Sequence, residues 1–142
     1  MGKVVVSACL LGENCKYNGG NNFSPAVAEF VRGREVIPVC PERLAGLGVP
    51  RPPIEIVGDN VLTKEGKSVG EVLQRAIAEI LAQLADEQIE CAVLKSRSPT
   101  CGVKQVYDGS FSGTLVDGMG MLAKALHTAG YTVMDSEEIG IL

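Results

Sequence analysis

The chain has 142 residues and a net charge of −4, with 46% hydrophobic and 21% charged residues. This length and balance suit a single globular domain over residues 1–142, and the sequence contains no apolar run long enough to cross a membrane. The acidic charge and the absence of a lysine- or arginine-rich cluster argue against a nucleic-acid surface.

The predicted elements of the first half alternate between strand and helix. An apolar strand at 3–8 is followed by a Gly/Asn-rich loop and by a helix that begins at Ser24-Pro25. A strand at 35–39 then leads into a segment, 40–53, whose prolines are expected to exclude regular structure over much of its length.

The second half continues this alternation. A capping box predicted at 68–71 starts a long amphipathic helix, and a strand follows at 90–94. A hairpin is predicted at 105–117, and the chain ends with a helix at 119–129 and a strand at 131–134.

Strands that are connected through helices run parallel, and a parallel sheet needs cover on both faces. We therefore expect an α/β fold with a mainly parallel sheet and helices on both faces, a Rossmann-like three-layer sandwich. Ligands of such sheets bind outside the carboxyl ends of the strands.

The five cysteines occupy different places relative to the predicted strands. Cys9 and Cys40 directly follow the first two strands, and Cys101 lies in the loop after the third, so all three fall at the same sheet edge. Cys91 lies at the opposite edge and is expected to be a small buried side chain, whereas the role of Cys15 stays open. The odd number and the absence of a secretory signal argue against a disulfide framework and favour a cytoplasmic protein.

Three thiolates that meet at one edge are typical of an open metal site, because a closed structural zinc site needs four ligands. Thiolates select zinc, copper(I) or iron–sulfur clusters, and a cubane cluster held by three cysteines leaves one iron exposed. The single histidine, His127, falls late on the last helix and is expected at the surface. Three separately buried thiols are the alternative interpretation of the spacing.

Four segments of the chain carry a family resemblance. They are VSACLLGENCKYNGG, CPERLAGLGVPRPPIEI, LKSRSPTCG and YDGSFSGTLVDGMGMLAKAL. In this order they resemble the motifs of a widespread bacterial and archaeal family that includes the thiouracil desulfidases. The resemblance implies a 4Fe–4S cluster with one open iron, held by Cys9, Cys40 and Cys101. Asn18 and Cys15 depart from the family pattern, and both changes bear on substrate choice rather than on the implied ligands.

The resemblance also implies a desulfidase that converts the thiocarbonyl of a pyrimidine base, nucleoside or nucleotide to a carbonyl and releases sulfide. Glu42 is the expected acid/base for the attacking water, and Ser98 is expected to relay a proton or to hold the heterocycle. Arg51, Arg97 and Lys95 are secondary candidates for substrate binding. The expected partner is a small molecule and not tRNA, and the sequence does not indicate an oligomeric state.

Two other functions are kept as alternatives. The stretch GMGMLA at 118–123 fits the dinucleotide-binding pattern G-x-G-x-x-A, with Asp135 after the next strand. The segment before it is polar, however, and too little chain follows for a Rossmann half, although the helix N-terminus would still favour an anion. The second alternative is a cluster- or metal-binding module without desulfidase activity.

Overall fold

The computed structural model describes residues 2–139. Its strands are β1 (Lys3–Ser7), β2 (Val36–Val39), β3 (Ile54–Val57), β4 (Asn60–Thr63), β5 (Ile89–Leu94), β6 (Gln105–Tyr107), β7 (Leu115–Asp117) and β8 (Val133–Asp135). Its α-helices are α1 (Pro25–Phe30), α2 (Pro41–Leu44), α3 (Gly70–Leu84), α4 (Met121–Thr128) and α5 (Ser136–Ile139), and a 3-10 turn spans Ala8–Leu11.

The four strands predicted for the sheet form one sheet in the order β2-β1-β5-β8. Every neighbouring pair in it is parallel, which confirms the predicted α/β fold class. The edge strands are β2, in which Pro38 pairs with Val6 of β1, and β8, which has three residues. Two antiparallel hairpins, β3–β4 and the predicted β6–β7, lie outside this sheet.

Alternate side chains of β1 divide the core into two layers. Val4 and Val6 pack in the layer that includes Val27 of α1 and Ile139 of α5. Val5 points the other way, into the layer that contains the apolar faces of α3 and α4. This division follows from the two-residue period of a strand, so helices cover both faces of the sheet.

Two predicted helix starts have different outcomes. The hydroxyl of Ser24 accepts a hydrogen bond from the Val27 amide at 3.2 Å, so Ser24 caps α1 as predicted. The capping box at 68–71 is wrong, because Val69 is the residue before α3 and caps it without a side-chain hydrogen bond. Ser68 instead donates its hydroxyl hydrogen to Oδ1 of Asn60, the first residue of β4, at 2.9 Å. Its side chain is therefore bound to the β3–β4 hairpin and not to the N-terminus of α3.

The segment 40–53 contains structure that the prolines were expected to exclude. Pro41 occupies the first turn of α2, where a missing N–H costs no hydrogen bond and the fixed φ favours a helix. The hairpin β3–β4 and the short α5 are further elements that the sequence interpretation missed. Among residues 2–139, no helix combines the length and apolarity that a membrane crossing requires.

Candidate functional site

A cavity of about 620 Å³ lies at the carboxyl edge of the parallel sheet. Cys9, Cys40 and Cys101 all line it, as the placement of these residues after three adjacent strands predicts. Cys9 lies on the 3-10 turn after β1, and Cys40 is the residue that precedes α2. Cys101 is presented by the loop after β5 and is 4% exposed. The structure thus brings together three thiols that are far apart in the sequence.

The three thiols are free and desolvated. Burial raises the pKa of the Cys9 and Cys40 thiols, and it raises that of Cys101 to about 12. The Glu42 carboxylate raises the pKa of Cys40 further, because two negative charges would lie side by side. Without a metal these thiols are neutral, so binding of a soft metal would replace their protons.

The donor set differs from a preformed single-ion site. Within residues 2–139, no three His, Cys, Asp or Glu side chains converge closely enough to hold one ion. A cubane cluster spreads its thiolates more widely than a single ion does, so three soft donors around an open cavity fit a cluster better than zinc.

The other two cysteines differ in position. Cys91 is buried in the core layer beneath α1, as expected for a small apolar side chain, and it does not line the cavity. Cys15 does line the cavity and is 2% exposed. Its carbonyl accepts a 2.9 Å hydrogen bond from Nη2 of Arg51, which fixes the loop after β1. His127 is exposed, as predicted.

Glu42 is a buried carboxylate beside the cysteines, with 8% of its surface exposed. Its Oε1 accepts a short hydrogen bond from the hydroxyl of Thr100. Its Oε2 lies 3.6 Å from Sγ of Cys40 and 3.9 Å from Nη2 of Arg51. The carboxylate also lines the cavity, so it can reach a water molecule or a substrate there.

Ser98 organises the loop that presents Cys101. Its Oγ accepts hydrogen bonds from the amides of Thr100 at 3.2 Å and Cys101 at 3.0 Å. Its carbonyl accepts the amide of Gly102 at 2.8 Å, and a Cβ at that glycine would lie 2.8 Å from the same oxygen. The polar run after β5 is therefore a tight turn that sets the position of Cys101.

The three basic candidates are held in different ways. Arg51 lines the cavity with a side chain that is 8% exposed, and its guanidinium donates to the carbonyls of Cys15 and Gly48. Arg97 lines the cavity, is partly exposed, and donates to both carboxylate oxygens of Glu137. Lys95 lines the cavity, and burial lowers the pKa of its ammonium group.

An aromatic wall was missed by the sequence interpretation, although its residues lie in the fourth family motif. Tyr107 and Phe111 line the cavity, and Phe111 has the left-handed φ of +57°. Oε1 of Glu55 holds this turn by accepting hydrogen bonds from the amides of Gly109 at 2.9 Å and Phe111 at 3.2 Å. Such a conformation is uncommon for a bulky residue and needs this kind of support.

The glycine pattern at 118–123 serves packing rather than a dinucleotide. The amides of Gly120, Met121 and Leu122 donate to carbonyls of residues 99–102, at 2.7 to 3.0 Å. A Cβ at Gly120 would lie 2.5 Å from the carbonyl carbon of Thr100. Because loop carbonyls occupy the first amides of α4, the expected preference for an anion at this helix N-terminus is also wrong.

Comparisons with known proteins agree in one family. The model of the 2-thiouracil desulfurase family matches residues 4–138. The uncharacterized protein YbbK of Bacillus subtilis (strain 168) is 34% identical over 146 residues, which cover 96% of this chain and 97% of the relative. The solved structure of the [4Fe-4S]-dependent thiouracil desulfidase TudS is 34% identical in sequence and superposes on this chain with a TM-score of 0.90. The match covers 100% of this chain and 95% of the TudS chain.

Proposed function

Since the chain belongs to the 2-thiouracil desulfurase family, we propose that it removes sulfur from thiouracil or a closely related thiolated pyrimidine. Water supplies the oxygen, the carbon–sulfur double bond becomes a carbonyl, and sulfide leaves without net oxidation or reduction. The observation that supports this function is that three free thiols and the buried Glu42 carboxylate line one cavity.

Cys9, Cys40 and Cys101 are the proposed ligands of a 4Fe–4S cluster. Three sulfur donors would leave one iron without a protein ligand, and a bound cluster would supply a Lewis acid for a soft thiocarbonyl sulfur. Asn22 supports the assignment, because its Nδ2 donates to Sγ of Cys9 at 3.4 Å and stabilises the thiolate. Cys15 is not needed as a ligand in this arrangement.

Glu42 is the proposed acid/base. Its carboxylate can accept a proton from the attacking water and return a proton to the product side of the reaction. The buried position supports this role, because a carboxylate shielded from bulk solvent interacts more strongly with the reacting groups.

The other polar candidates take supporting roles in this proposal. Arg51 holds the loop of Cys15 and lies beside Glu42, so it supports the site rather than a substrate phosphate. Lys95 and Arg97 both line the cavity, and Lys95 is the better candidate for substrate contact because the guanidinium of Arg97 is bound to the Glu137 carboxylate. A direct role of Ser98 in catalysis stays a prediction.

We further propose that the substrate is a small molecule rather than tRNA, and that the protein acts in the cytoplasm. The net charge of −4 disfavours a polyanionic partner, and a cavity of about 620 Å³ has room for a free base or a mononucleotide. Five free cysteines support a reducing compartment. The organisation of residues 1–142 as one domain stays a prediction.

The test is sulfide release by the anaerobically reconstituted protein. 2-Thiouracil, 4-thiouracil and 4-thiouridine monophosphate are each incubated with protein of measured iron content, and loss of the thiocarbonyl absorption is followed together with sulfide. Cys101→Ser serves as the control that lacks a ligand. Protein with a full complement of iron that releases no sulfide from any of the three would contradict the proposal and favour a cluster-binding module.

A further inference from the structure

Thr100 lies next to Cys101 but does not line the cavity. None of its surface is exposed. Its hydroxyl oxygen nevertheless contacts three groups of the site: it donates to Oε1 of Glu42 and lies 3.1 Å from Oγ of Ser98 and 3.6 Å from Sγ of Cys101. Thr100 can therefore affect a substrate only through its neighbours.

The direction of these hydrogen bonds follows from the number of hydrogens. A threonine hydroxyl has a single hydrogen, and a carboxylate oxygen is a stronger acceptor than a thiol sulfur or a second hydroxyl. The Thr100 hydrogen therefore points to Glu42. The contact between the two hydroxyls must then use the hydrogen of Ser98, which gives a directed chain from Ser98 through Thr100 to Glu42.

This direction uses the whole hydrogen-bonding capacity of Ser98. Its two acceptor positions are taken by the amides of Thr100 and Cys101, and its hydrogen is donated to Thr100. In this arrangement all of these hydrogen bonds are made within the protein, so a contact between Ser98 and a heterocycle would have to replace one of them. Ser98 acts on the site by orienting Thr100.

The hydrogen bonds from Ser98 through Thr100 to Glu42 also determine which carboxylate oxygen of Glu42 is available to a water molecule. Thr100 occupies Oε1, whereas Oε2 lies 3.9 Å from Nη2 of Arg51 and 3.6 Å from Sγ of Cys40, whose thiol proton would be lost when Cys40 binds a cluster as a thiolate. We propose that Thr100 is a positioning residue that holds Oε1 and so directs Oε2 of Glu42 toward the water that attacks the substrate. This inference rests on the proposed function.

The test compares Thr100→Val, which keeps the shape and removes the hydroxyl, with Thr100→Ser, which keeps the hydroxyl. We expect kcat of Thr100→Val to fall about 100-fold with KM within about twofold, because misplacing the reacting group affects the transition state more than binding. Thr100→Ser should restore most of kcat. In a Glu42→Gln background, Thr100→Val should add no further loss.

A second readout uses the cluster-free protein and needs no activity. The infrared carboxylate stretch of Glu42 is identified as the band lost in Glu42→Gln, and it should shift in Thr100→Val and return in Thr100→Ser. An unshifted band, an unchanged kcat, or equal losses in the valine and serine variants would overturn the inference. If Thr100→Val does not fold, Thr100→Ala takes its place in both measurements. A wild-type protein without sulfide release would refute the proposed function, while the infrared band would still decide the contact.

Discussion

Among single residues, Glu42 gives the clearest prediction, because replacing its carboxylate should affect catalysis without affecting the fold. Glu42→Gln keeps the size of the side chain and a carbonyl that can accept the Thr100 hydroxyl, so the fold and the cluster should persist. Turnover should fall by about 100- to 10,000-fold, the usual contribution of a positioned acid/base. The measurement is anaerobic sulfide release normalised to iron. Glu29→Gln, on the exposed surface of α1, is the matched control and should keep wild-type activity.

The cysteines give a second prediction at this scale. Replacing Cys9, Cys40 or Cys101 with serine should abolish the broad visible absorption of a thiolate-bound cluster, because each variant removes one of three ligands. Cys91→Ala should retain the spectrum, since Cys91 packs in the core. Cys15→Ser decides the role of the fourth cavity cysteine: loss of the spectrum there but not in Cys9→Ser would show that the ligand assignment is wrong.

Individual residues also show what sequence reasoning could and could not find. The three cysteines were found because each follows a strand whose apolar pattern is plain, and parallel strands bring their ends together. Thr100 was missed because a small polar residue in a turn carries no signal of its own. Its function depends on Glu42, which is 58 positions away in the sequence, so only the folded chain shows the contact.

At the scale of elements, α4 and the loop that presents Cys101 act as one unit. Gly120→Ala would place a Cβ 2.5 Å from the Thr100 carbonyl carbon, so the helix and the loop would have to separate. We expect a loss of about 1–3 kcal/mol in the free energy of unfolding, together with reduced cluster content. Both are measured, by chemical denaturation and by iron analysis.

Gly33→Ala is the control for that substitution. Gly33 has a φ of +77° and no atom within 4 Å of the position of a Cβ, so alanine there costs only the left-handed conformation, about 1–2 kcal/mol. Its cluster content should equal that of the wild type. Equal cluster content in Gly120→Ala would refute the coupling between α4 and the ligand loop.

Elements were predicted well where a single period dominates. The strands of the sheet and the apolar face of α3 follow from their spacing, and Ser24 marks the start of α1. The failures at α2 and at 68–71 have a common cause, because Pro41 and Ser68 each fit two local structures. Contacts with the rest of the fold decide between these structures, and a local pattern does not contain them.

For the whole molecule, the proposed ligands join the ends of three adjacent strands through long stretches of intervening chain. A group that binds the folded state and not the unfolded one raises stability, so cluster loading should raise the Tm. The Tm is measured anaerobically for loaded and cluster-free protein. Cys91→Ala should lower both values by a similar amount, and an identical Tm with and without cluster would show that the ligands do not bridge the strands.

The two edge strands of the sheet limit how copies of this chain can associate. β2 contains Pro38, which has no N–H to offer to an added strand, and β8 is too short to template a long one. Open parallel sheets with long free edges are prone to edge-to-edge aggregation, and both edges here are blunted. An assembly of this protein would therefore form through side-chain surfaces. It would add no strand to the four-stranded sheet that has the cavity at its carboxyl edge.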